Sequence, residues 1–266
     1  MSRSATSTAH AKVVAVQEGR RQTRRDSLAV EEPMEIRVGG YSIAVTMRTP
    51  GHDFELAAGF LFAEGVIAGR ADIRQIRYCA DPQNYNVVTA DLKPTAKFDP
   101  RKLTRHVFTT SSCGVCGKAT LEQVRAVMPA AIPKAAAPPA AEVLCALPGK
   151  LRAEQTIFSR TGGLHAAGLF DNTGKLLLLR EDVGRHNAMD KLIGALLLKD
   201  DLPARDRIVL VSGRASFELV QKAALALIPV FAAVGAPSSL AVDLARECGM
   251  VLMGFLRDNR YNIYTD

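Results

Sequence analysis

The feature that most constrains the fold is a regular alternation of apolar strands and helices from residue 142 to the C-terminus. It begins with a helix over about 142–160, followed by two strands over 164–170 and 175–180 that Asn172, Thr173 and Gly174 join as a turn. Helix and strand patterns then repeat over residues 186–198, 207–212, 215–228, 230–234, 238–248 and 250–256. Such alternation predicts an α/β domain over 142–266 with a sheet that is largely parallel after the opening hairpin.

The first half of the chain has a different pattern. Residues 28–110 predict a smaller β-rich domain with one helix over 52–64, preceded by a hairpin around Gly39 and Gly40. Residues 1–27 carry six basic against two acidic side chains, which predicts a disordered basic tail. Residues 111–141 combine a CxxC loop with a connector rich in Pro and Ala.

Composition and charge exclude several classes of protein. The chain is 48% hydrophobic and 23% charged, which is typical of a soluble globular protein. Aromatic residues make up only 6% and Trp is absent, so a stacking surface for nucleic acid is not expected. Residues 223–242 contain no charge, but Pro229, Gly235 and Pro237 divide them into segments too short to span a membrane. No apolar stretch follows Arg20 and Arg21, and five Cys favour reduced thiols, so we expect a cytoplasmic location.

The sharpest local motif is SSCGVCGK, which places Cys113 and Cys116 two residues apart between glycines. Lys118 supplies a positive charge that favours the thiolate, the form that attacks sulfur or carries it as a persulfide. From the residues alone, four interpretations stay open: half of a zinc site, a thioredoxin-like redox pair, an incidental loop, and sulfur or disulfide handling.

Two further clusters lie at predicted junctions between a strand and a helix. Arg185 and His186 open one helix, and Ser212, Gly213, Arg214 and Ser216 precede the next. Helix N-termini with Gly, Ser and Arg suit phosphate groups, although capping and surface ion pairs would explain either cluster alone. The final predicted strand ends in Phe255–Arg260, whose side chains could contact a nucleotide or form a polar edge. His165, after Gly162 and Gly163, is expected to be a hydrogen-bonded core residue.

Taken together, these segments resemble the formate dehydrogenase accessory sulfurtransferase family. The resemblance runs from about residue 30 to the C-terminus, through the segments EEPMEIRV, MRTPGHDFELAAGFLFAEGVI, SSCGVCGK, TGGLHAAGL, REDVGRHNAMDKLIG, SGRASFELVQKA, GAPSSLAVDLA and GFLRDNRYNIYT. It implies a homodimeric protein that takes sulfur from a cysteine desulfurase and holds it as a persulfide. The sulfur then passes to the molybdenum or tungsten bis-guanine-dinucleotide cofactor of formate dehydrogenase, of which GDP and GTP are fragment mimics.

The resemblance also implies roles for individual residues. Cys113 maps to the persulfide carrier and Cys116 to its partner. The segment that holds the cofactor maps to Phe255, Leu256, Arg257, Asp258, Asn259 and Arg260. We expect these residues to converge on one crevice with Arg185, His186, Ser212, Gly213, Arg214 and Ser216, because adjacent parallel strands end at the same edge of a sheet.

The family's second half has a cytidine-deaminase-like α/β/α fold, which implies that fold for 142–266. A zinc deaminase carries H-x-E at one helix start and P-C-x-x-C at the next. Here His186 is followed by Asn187 and Ala188, and residues 214–217 contain no thiol, so we expect neither deamination nor bound zinc. The alternative to a sulfurtransferase is a non-catalytic chaperone that delivers the cofactor, and a disulfide oxidoreductase is a weaker third.

Overall fold

The computed structural model describes residues 6–79, 86–96, 98–99, 132 and 139–266, and its first element corrects a sequence prediction. Strands β1 (Thr8–Gln17) and β2 (Arg20–Ala29) pair as an antiparallel hairpin, so the prediction of a disordered tail is wrong for this segment. The turn residues Glu18 and Gly19 both have positive φ, of 52° and 77°, as a tight hairpin turn requires. The high charge of this segment concealed its alternating valines.

A four-stranded sheet follows in the order β4-β3-β6-β5. It consists of β3 (Glu32–Val38), β4 (Tyr41–Arg48), β5 (Ile73–Tyr78) and β6 (Val87–Leu92). Helix α1 (Asp53–Ala63) packs on one face, where Leu56 and Leu61 meet Met34, Ile36 and Val88 in one apolar core. This is the small β-rich unit that the sequence predicts, with its expected helix; residues 100–110 of the predicted domain lie outside the described residues.

The second half forms a six-stranded mixed sheet in the order β12-β11-β10-β9-β7-β8. Strands β9, β10 and β11 are parallel, whereas β7, β8 and β12 run antiparallel to their neighbours. The strands are β7 (His165–Phe170), β8 (Leu176–Asp182), β9 (Ile208–Val211), β10 (Val230–Ala233), β11 (Val251–Arg257) and β12 (Arg260–Thr265).

Helices cover both faces of this sheet. Helix α2 (Ala141–Glu154) packs against Ile208 and Leu210 on one face. Helices α4 (Arg185–Leu198), α5 (Phe217–Leu225) and α6 (Ser239–Cys248) pack on the other, where they meet Val209 and Val211. Alternate residues of β9 therefore face opposite layers, which explains why its sequence is apolar throughout. The mixed α/β fold is confirmed, while the likeness to cytidine deaminase stays a prediction.

Two details of the C-terminal half differ from the sequence prediction. The helix expected over about 142–160 is divided at Gln155 into α2 and the short α3 (Thr156–Thr161). The final strand expected over 250–256 is followed by β12, which the sequence analysis missed and which pairs back onto β11. Residues 258–259 form the turn between them, so Phe255–Arg260 end one strand and begin another.

The two sheets are joined where α1 crosses α4. A Cβ on Gly59 would lie 1.9 Å from the carbonyl oxygen of Asp190, and one on Gly194 would lie 1.8 Å from that of Glu55. Only glycine allows helix backbones to approach so closely, which fixes α1 against α4. Leu197 of α4 also belongs to the apolar core of the four-stranded sheet.

No helix in the described ranges is both long and apolar enough to cross a membrane.

Candidate functional site

Several strand ends meet at one edge of the six-stranded sheet. The first residue of β7, His165, pairs with the last residue of β8, Asp182. The amide of Ser212, just after β9, donates to the carbonyl oxygen of Ala166 at 2.9 Å. Because β7 runs antiparallel to both neighbours, its beginning lies beside their ends. The loops that carry His165, Arg185 and Ser212 are thus neighbours in space. The strands that precede Arg185 and Ser212 are not adjacent, contrary to the sequence prediction, because β7 lies between them.

Asp182 shapes the loop that leads into α4. Its fully buried carboxylate accepts from the Gly184 amide at 2.8 Å, from Asn187 at 3.0 Å and from the Thr49 amide at 3.1 Å, and it pairs with Lys191 at 2.7 Å. A buried carboxylate with this many donors is compensated for its loss of hydration. The loop 183–186 is therefore held by contacts from both sheets.

Asn187 strengthens the same connection. Its side-chain amide donates to the carbonyl oxygen of Met47 at 2.7 Å, and its oxygen lies 3.2 Å from the hydroxyl of Thr46, which donates to it. The sequence places Asp182 and Asn187 at the predicted junction without indicating their role, and it does not point to Lys191. For Asn187 and Lys191, polar side chains within the largely apolar helix α4 were the available signal, because such groups are buried only with partners.

Arg185 and His186 begin α4. Gly184, the residue before them, has no side chain that could cap the helix. In the described part of the chain, no other side chain accepts a hydrogen bond from its first amides. His186 lies 3.3 Å from the Ser216 hydroxyl and 3.4 Å from Glu218, measured from Nε2. Burial, together with the charges of Arg185 and Lys222 and the neighbouring His165, lowers the pKa of His186 to about 3. The imidazole is consequently neutral at physiological pH.

A cavity of about 200 Å³ opens in front of this helix start. Within the described part of the chain, the buried Nε of Arg185 has no hydrogen-bond partner. A buried N–H without a partner is costly, and the uncapped helix amides add a partial positive charge, so the cavity suits an oxyanion. Its walls are formed by Glu31, Met47, His165, Val183, Gly184, Arg185, His186 and Asn187.

A larger cavity of about 620 Å³ adjoins the first, and His165 and Ser212 lie in its wall. The Arg152 guanidinium lies 4.6 Å above the ring of Phe158 there, which makes a flat cationic and aromatic surface. The remaining wall is largely apolar and comprises Pro148, Leu151, Gln155, Gly162, Gly163, Leu164 and Val234. Of these wall residues, only Ser212 is predicted from the sequence to be a ligand, because α2 and α3 approach the site through tertiary packing.

His165 lines both cavities, which corrects its interpretation as a core residue. Burial and the charge of Arg185 lower the pKa of His165, although Asp182 opposes them. A Cβ on Gly213 would lie 3.5 Å from Nδ1 of His165. A half-buried, neutral imidazole at the junction of two cavities can accept or donate one hydrogen bond to a ligand in either.

The 212–216 loop is closely packed at the same edge. The hydroxyl of Ser212 accepts from the Ala166 amide at 2.9 Å, and Ser216 precedes α5. Arg214 is exposed, and a Cβ on Gly235 would lie 3.1 Å from its Cα. Arg214 can therefore reach outward to a ligand, whereas Ser212 serves to hold β7.

The predicted C-terminal segment reaches this edge only in part. Phe255 has φ of 54° and is 40% exposed, and its amide donates to the carbonyl oxygen of Gly235, beside Arg214. The side chain of Leu256 is fully buried in the core against α2, so only its backbone is left to contact a ligand, and its predicted role in cofactor binding stays a prediction. Among described residues, no hydrogen bond or ion pair joins Arg257–Arg260 to Arg185 or His186. Their common crevice stays a prediction.

The predicted thiols, Cys113 and Cys116, are outside the described residues. Within the described part, no three His, Cys, Asp or Glu side chains are grouped as metal ligands.

Comparison with known proteins gives one consistent family. The FdhD/NarQ family model matches residues 29–266. The sulfur carrier protein FdhD of Streptomyces coelicolor is 55% identical over 261 residues, covering 95% of this chain and 92% of that one. The protein of the same name from Mycolicibacterium paratuberculosis is 53% identical and covers 97% of both. The crystal structure of a formate dehydrogenase accessory protein from Desulfotalea psychrophila matches with a TM-score of 0.76 and 26% identity, over 98% of each chain.

Proposed function

We propose, from the premise that the chain belongs to the FdhD/NarQ family, that it carries sulfur to the cofactor of formate dehydrogenase. It would take sulfur from a cysteine desulfurase, hold it as a persulfide on Cys113 and deliver it to a molybdenum or tungsten bis-guanine-dinucleotide cofactor. The relatives named sulfur carriers support the general role at more than half identity over nearly the whole chain. The cofactor is the substrate that receives the sulfur.

The observation that carries the cofactor part is the buried, unpartnered Nε of Arg185 beside an uncapped helix start. Such a group favours a phosphate oxygen, because the oxyanion would satisfy both the guanidinium and the helix amides. The larger adjoining cavity, with Arg152 stacked on Phe158, has room for a planar heterocycle. A guanine nucleotide contains both of these parts, and this supports a nucleotide end of the cofactor as the occupant.

The sulfur step requires one thiolate. The thiolate of Cys113 attacks the outer sulfur of the desulfurase persulfide, the S–S bond of that persulfide breaks, and the desulfurase thiolate leaves. Cys113 then carries the sulfur as a persulfide with no net oxidation or reduction. Lys118, five residues along the chain, supplies a positive charge that favours the attacking thiolate.

Intact mass measurement tests this step. After incubation with a cysteine desulfurase and cysteine, the protein should gain the mass of one sulfur atom, and reductant should reverse the gain. Cys113→Ala should abolish the gain, Cys116→Ala should impair it, and the matched control Cys145→Ala should behave as wild type. A Cys113→Ala protein that still gains sulfur and still activates formate dehydrogenase would overturn the assignment.

The cofactor site is tested separately with GDP, the terminal fragment of the cofactor. GDP should raise the melting temperature of the protein in proportion to its saturation. Arg214→Ala should weaken GDP binding by about 1.5–3 kcal/mol, because a hydrogen bond to a charged group contributes about that much. Arg246→Ala is the matched control, since Arg246 is also exposed but lies in the last turn of α6. GDP that fails to shift melting at millimolar concentration contradicts the site, and sulfur loading should be unaffected by Arg214→Ala.

These two measurements also separate the sulfurtransferase from a non-catalytic chaperone. A chaperone would bind GDP and still activate formate dehydrogenase without Cys113, whereas a sulfur carrier requires the thiol. The same proposal includes a cytoplasmic location, a homodimer and no bound zinc. Measurement of the molecular mass in solution would test the homodimer, and metal analysis of chelator-washed protein would test the expectation of no zinc.

A further inference from the structure

The hairpin of β1 and β2 is a feature that the proposed function does not use. Residues 8–28 precede the segment that the family model matches, residues 29–266. At its base the Val30 amide donates to the carbonyl oxygen of Ser7 at 3.0 Å, and Ala29 lies close to Gly163. Toward its turn, from residue 16 to residue 25, every side chain is exposed. The hairpin thus projects from the molecule as a two-stranded ribbon.

The strand register assigns the exposed side chains to two faces. Lys12 is directly opposite Arg25, Val14 opposite Thr23, and Val16 opposite Arg21. Because side chains at every second position share a face, these six residues form one surface, called here the Lys12 face. Val14 and Val16 are 60% and 63% exposed.

The Lys12 face is unfavourable when it is left bare. Like charges placed directly opposite across two strands destabilise the pair, and Lys12 and Arg25 are so placed. None of its six residues is acidic; Asp26 belongs to the other face, and Glu18 is in the turn. Two exposed valines beside three cations are complementary to a surface that is acidic and partly apolar.

The hairpin also offers an edge for pairing. In the described part of the chain, β1 forms ladder hydrogen bonds with β2 alone, so its other edge presents free backbone groups. An edge of this kind accepts an added strand, with main-chain hydrogen bonds for affinity and alternate side chains for specificity. A strand added there would place every second side chain beside Lys12, Val14 and Val16.

We propose that this hairpin binds an extended acidic segment of a partner protein by strand addition to β1, with Lys12 pairing directly with its carboxylates and the long side chains of Arg21 and Arg25 reaching them across β1. A second copy of the chain does not fit, because it would bring the same three cations together. The ribbon contains no Phe, Tyr or Trp on which bases could stack, and valines lie at the centre of its basic face, which favours a protein over nucleic acid. The inference is independent of the sulfur chemistry.

The experiment uses the full chain and a synthetic, fluorescent peptide of alternating Glu and Val. Binding should be measurable by anisotropy and should weaken as salt is added, since exposed charges are screened. The double variant Lys12→Glu/Arg25→Glu should raise the Kd for the peptide roughly ten-fold or more, because two attractive exposed ion pairs become repulsive. Arg20→Glu/Arg24→Glu is the matched control, with the same charge change on the opposite face of the same ribbon.

Further arms decide between occupants. Val14→Ser/Val16→Ser should also weaken peptide binding, and a peptide with Lys in place of Glu should not bind. The proposal is overturned if no peptide binds at millimolar concentration or if both double variants lose binding equally. It is equally overturned if an oligothymidylate or phosphatidylglycerol vesicles bind the Lys12 face more tightly than the peptide, or if Lys12→Glu/Arg25→Glu changes only self-association. Circular dichroism of each variant establishes that the fold is retained.

Discussion

At the scale of single residues, His186 has the most constrained environment at the sheet edge. It lies between the charges of Arg185 and Lys222, with Ser216 and Glu218 near its Nε2. Lys222 is itself fully buried; burial opposes its charge, but Asp190 at 2.6 Å and Glu218 outweigh this and raise its pKa. Lys222 therefore stays charged, and its charge adds to burial and to the charge of Arg185 in lowering the pKa of His186. A neutral His186 leaves Arg185 as the cation of the small cavity.

This arrangement predicts a pH dependence of stability. His186 has a pKa of about 3 in the folded protein against 6.5 for an ordinary histidine, so below about pH 6.5 the unfolded chain binds a proton that the folded one does not. Between about pH 7 and pH 5 this group should lower the free energy of unfolding by about 2 kcal/mol.

Chemical denaturation at several pH values measures this dependence. His186→Gln should remove most of the decrease, while His10→Gln on the exposed hairpin should keep it. A His186→Gln protein whose stability falls as steeply as wild type over this pH range would show that another group is responsible.

At the scale of elements, the crossing of α1 and α4 positions the candidate site. Gly59 and Gly194 let the backbones meet, and α4 carries Arg185 and His186 at its first turn. The ion pair of Arg180 with Glu55, 2.7 Å at its Nη2, lies beside the same crossing. Arg180 and His52 lower the pKa of Glu55 to about 2 despite its burial, so the pair stays ionised at neutral pH.

Two Gly→Ala changes, one at this crossing and one in α2, should have opposite effects on the stability of the protein. Gly194→Ala should destabilise the protein by about 3 kcal/mol, because its Cβ would overlap the carbonyl oxygen of Glu55 and the helices would have to separate. Gly149→Ala, in the exposed part of α2 with open space around it, should stabilise by up to about 1 kcal/mol through helix propensity. Thermal and urea unfolding measure both, and equal effects of the two changes would contradict the packing argument.

At the scale of the whole molecule, the two sheets share core and polar contacts. Leu197 of α4 packs into the core of the four-stranded sheet. Lys191 donates to the carbonyl oxygen of Thr49 at 2.8 Å, and Asp182 accepts from the Thr49 amide. If the two sheets separated, these buried charges and apolar side chains would lose their partners.

The structure therefore predicts that both halves unfold in one cooperative transition. The calorimetric and van't Hoff enthalpies should agree, and the slowest-exchanging amides of β3 and β6 should report the same free energy of opening as those of β9 and β10. Two resolved transitions, or a four-stranded sheet that exchanges at a much lower free energy, would contradict this coupling. In the Gly194→Ala variant, the free energies of opening of the two sheets should begin to differ.

Much of the fold could be predicted from the sequence because its signals are local. The segments IVLV and VFAA are apolar throughout because helices cover both faces of their sheet, and the helices between them show their own period. The hairpin at residues 8–29 is not predicted, because the high charge of this segment indicates disorder despite the turn signal of Glu18 and Gly19. The strand Arg260–Thr265 was missed as well, because its pairing depends on β11 lying beside it.

The sequence by itself determined most of the helices and strands and the residue types at the strand ends, because hydrophobic period and turn chemistry act over a few residues. Only the tertiary structure decided that Asp182 binds the Thr49 amide 133 residues away, that Asn187 reaches Met47, and that His165 lies between two cavities. It also decided which charges are buried, and this lowers the pKa of His186 and leaves the Nε of Arg185 without a partner. Burial and charge interaction depend on distance in space, which no local pattern encodes.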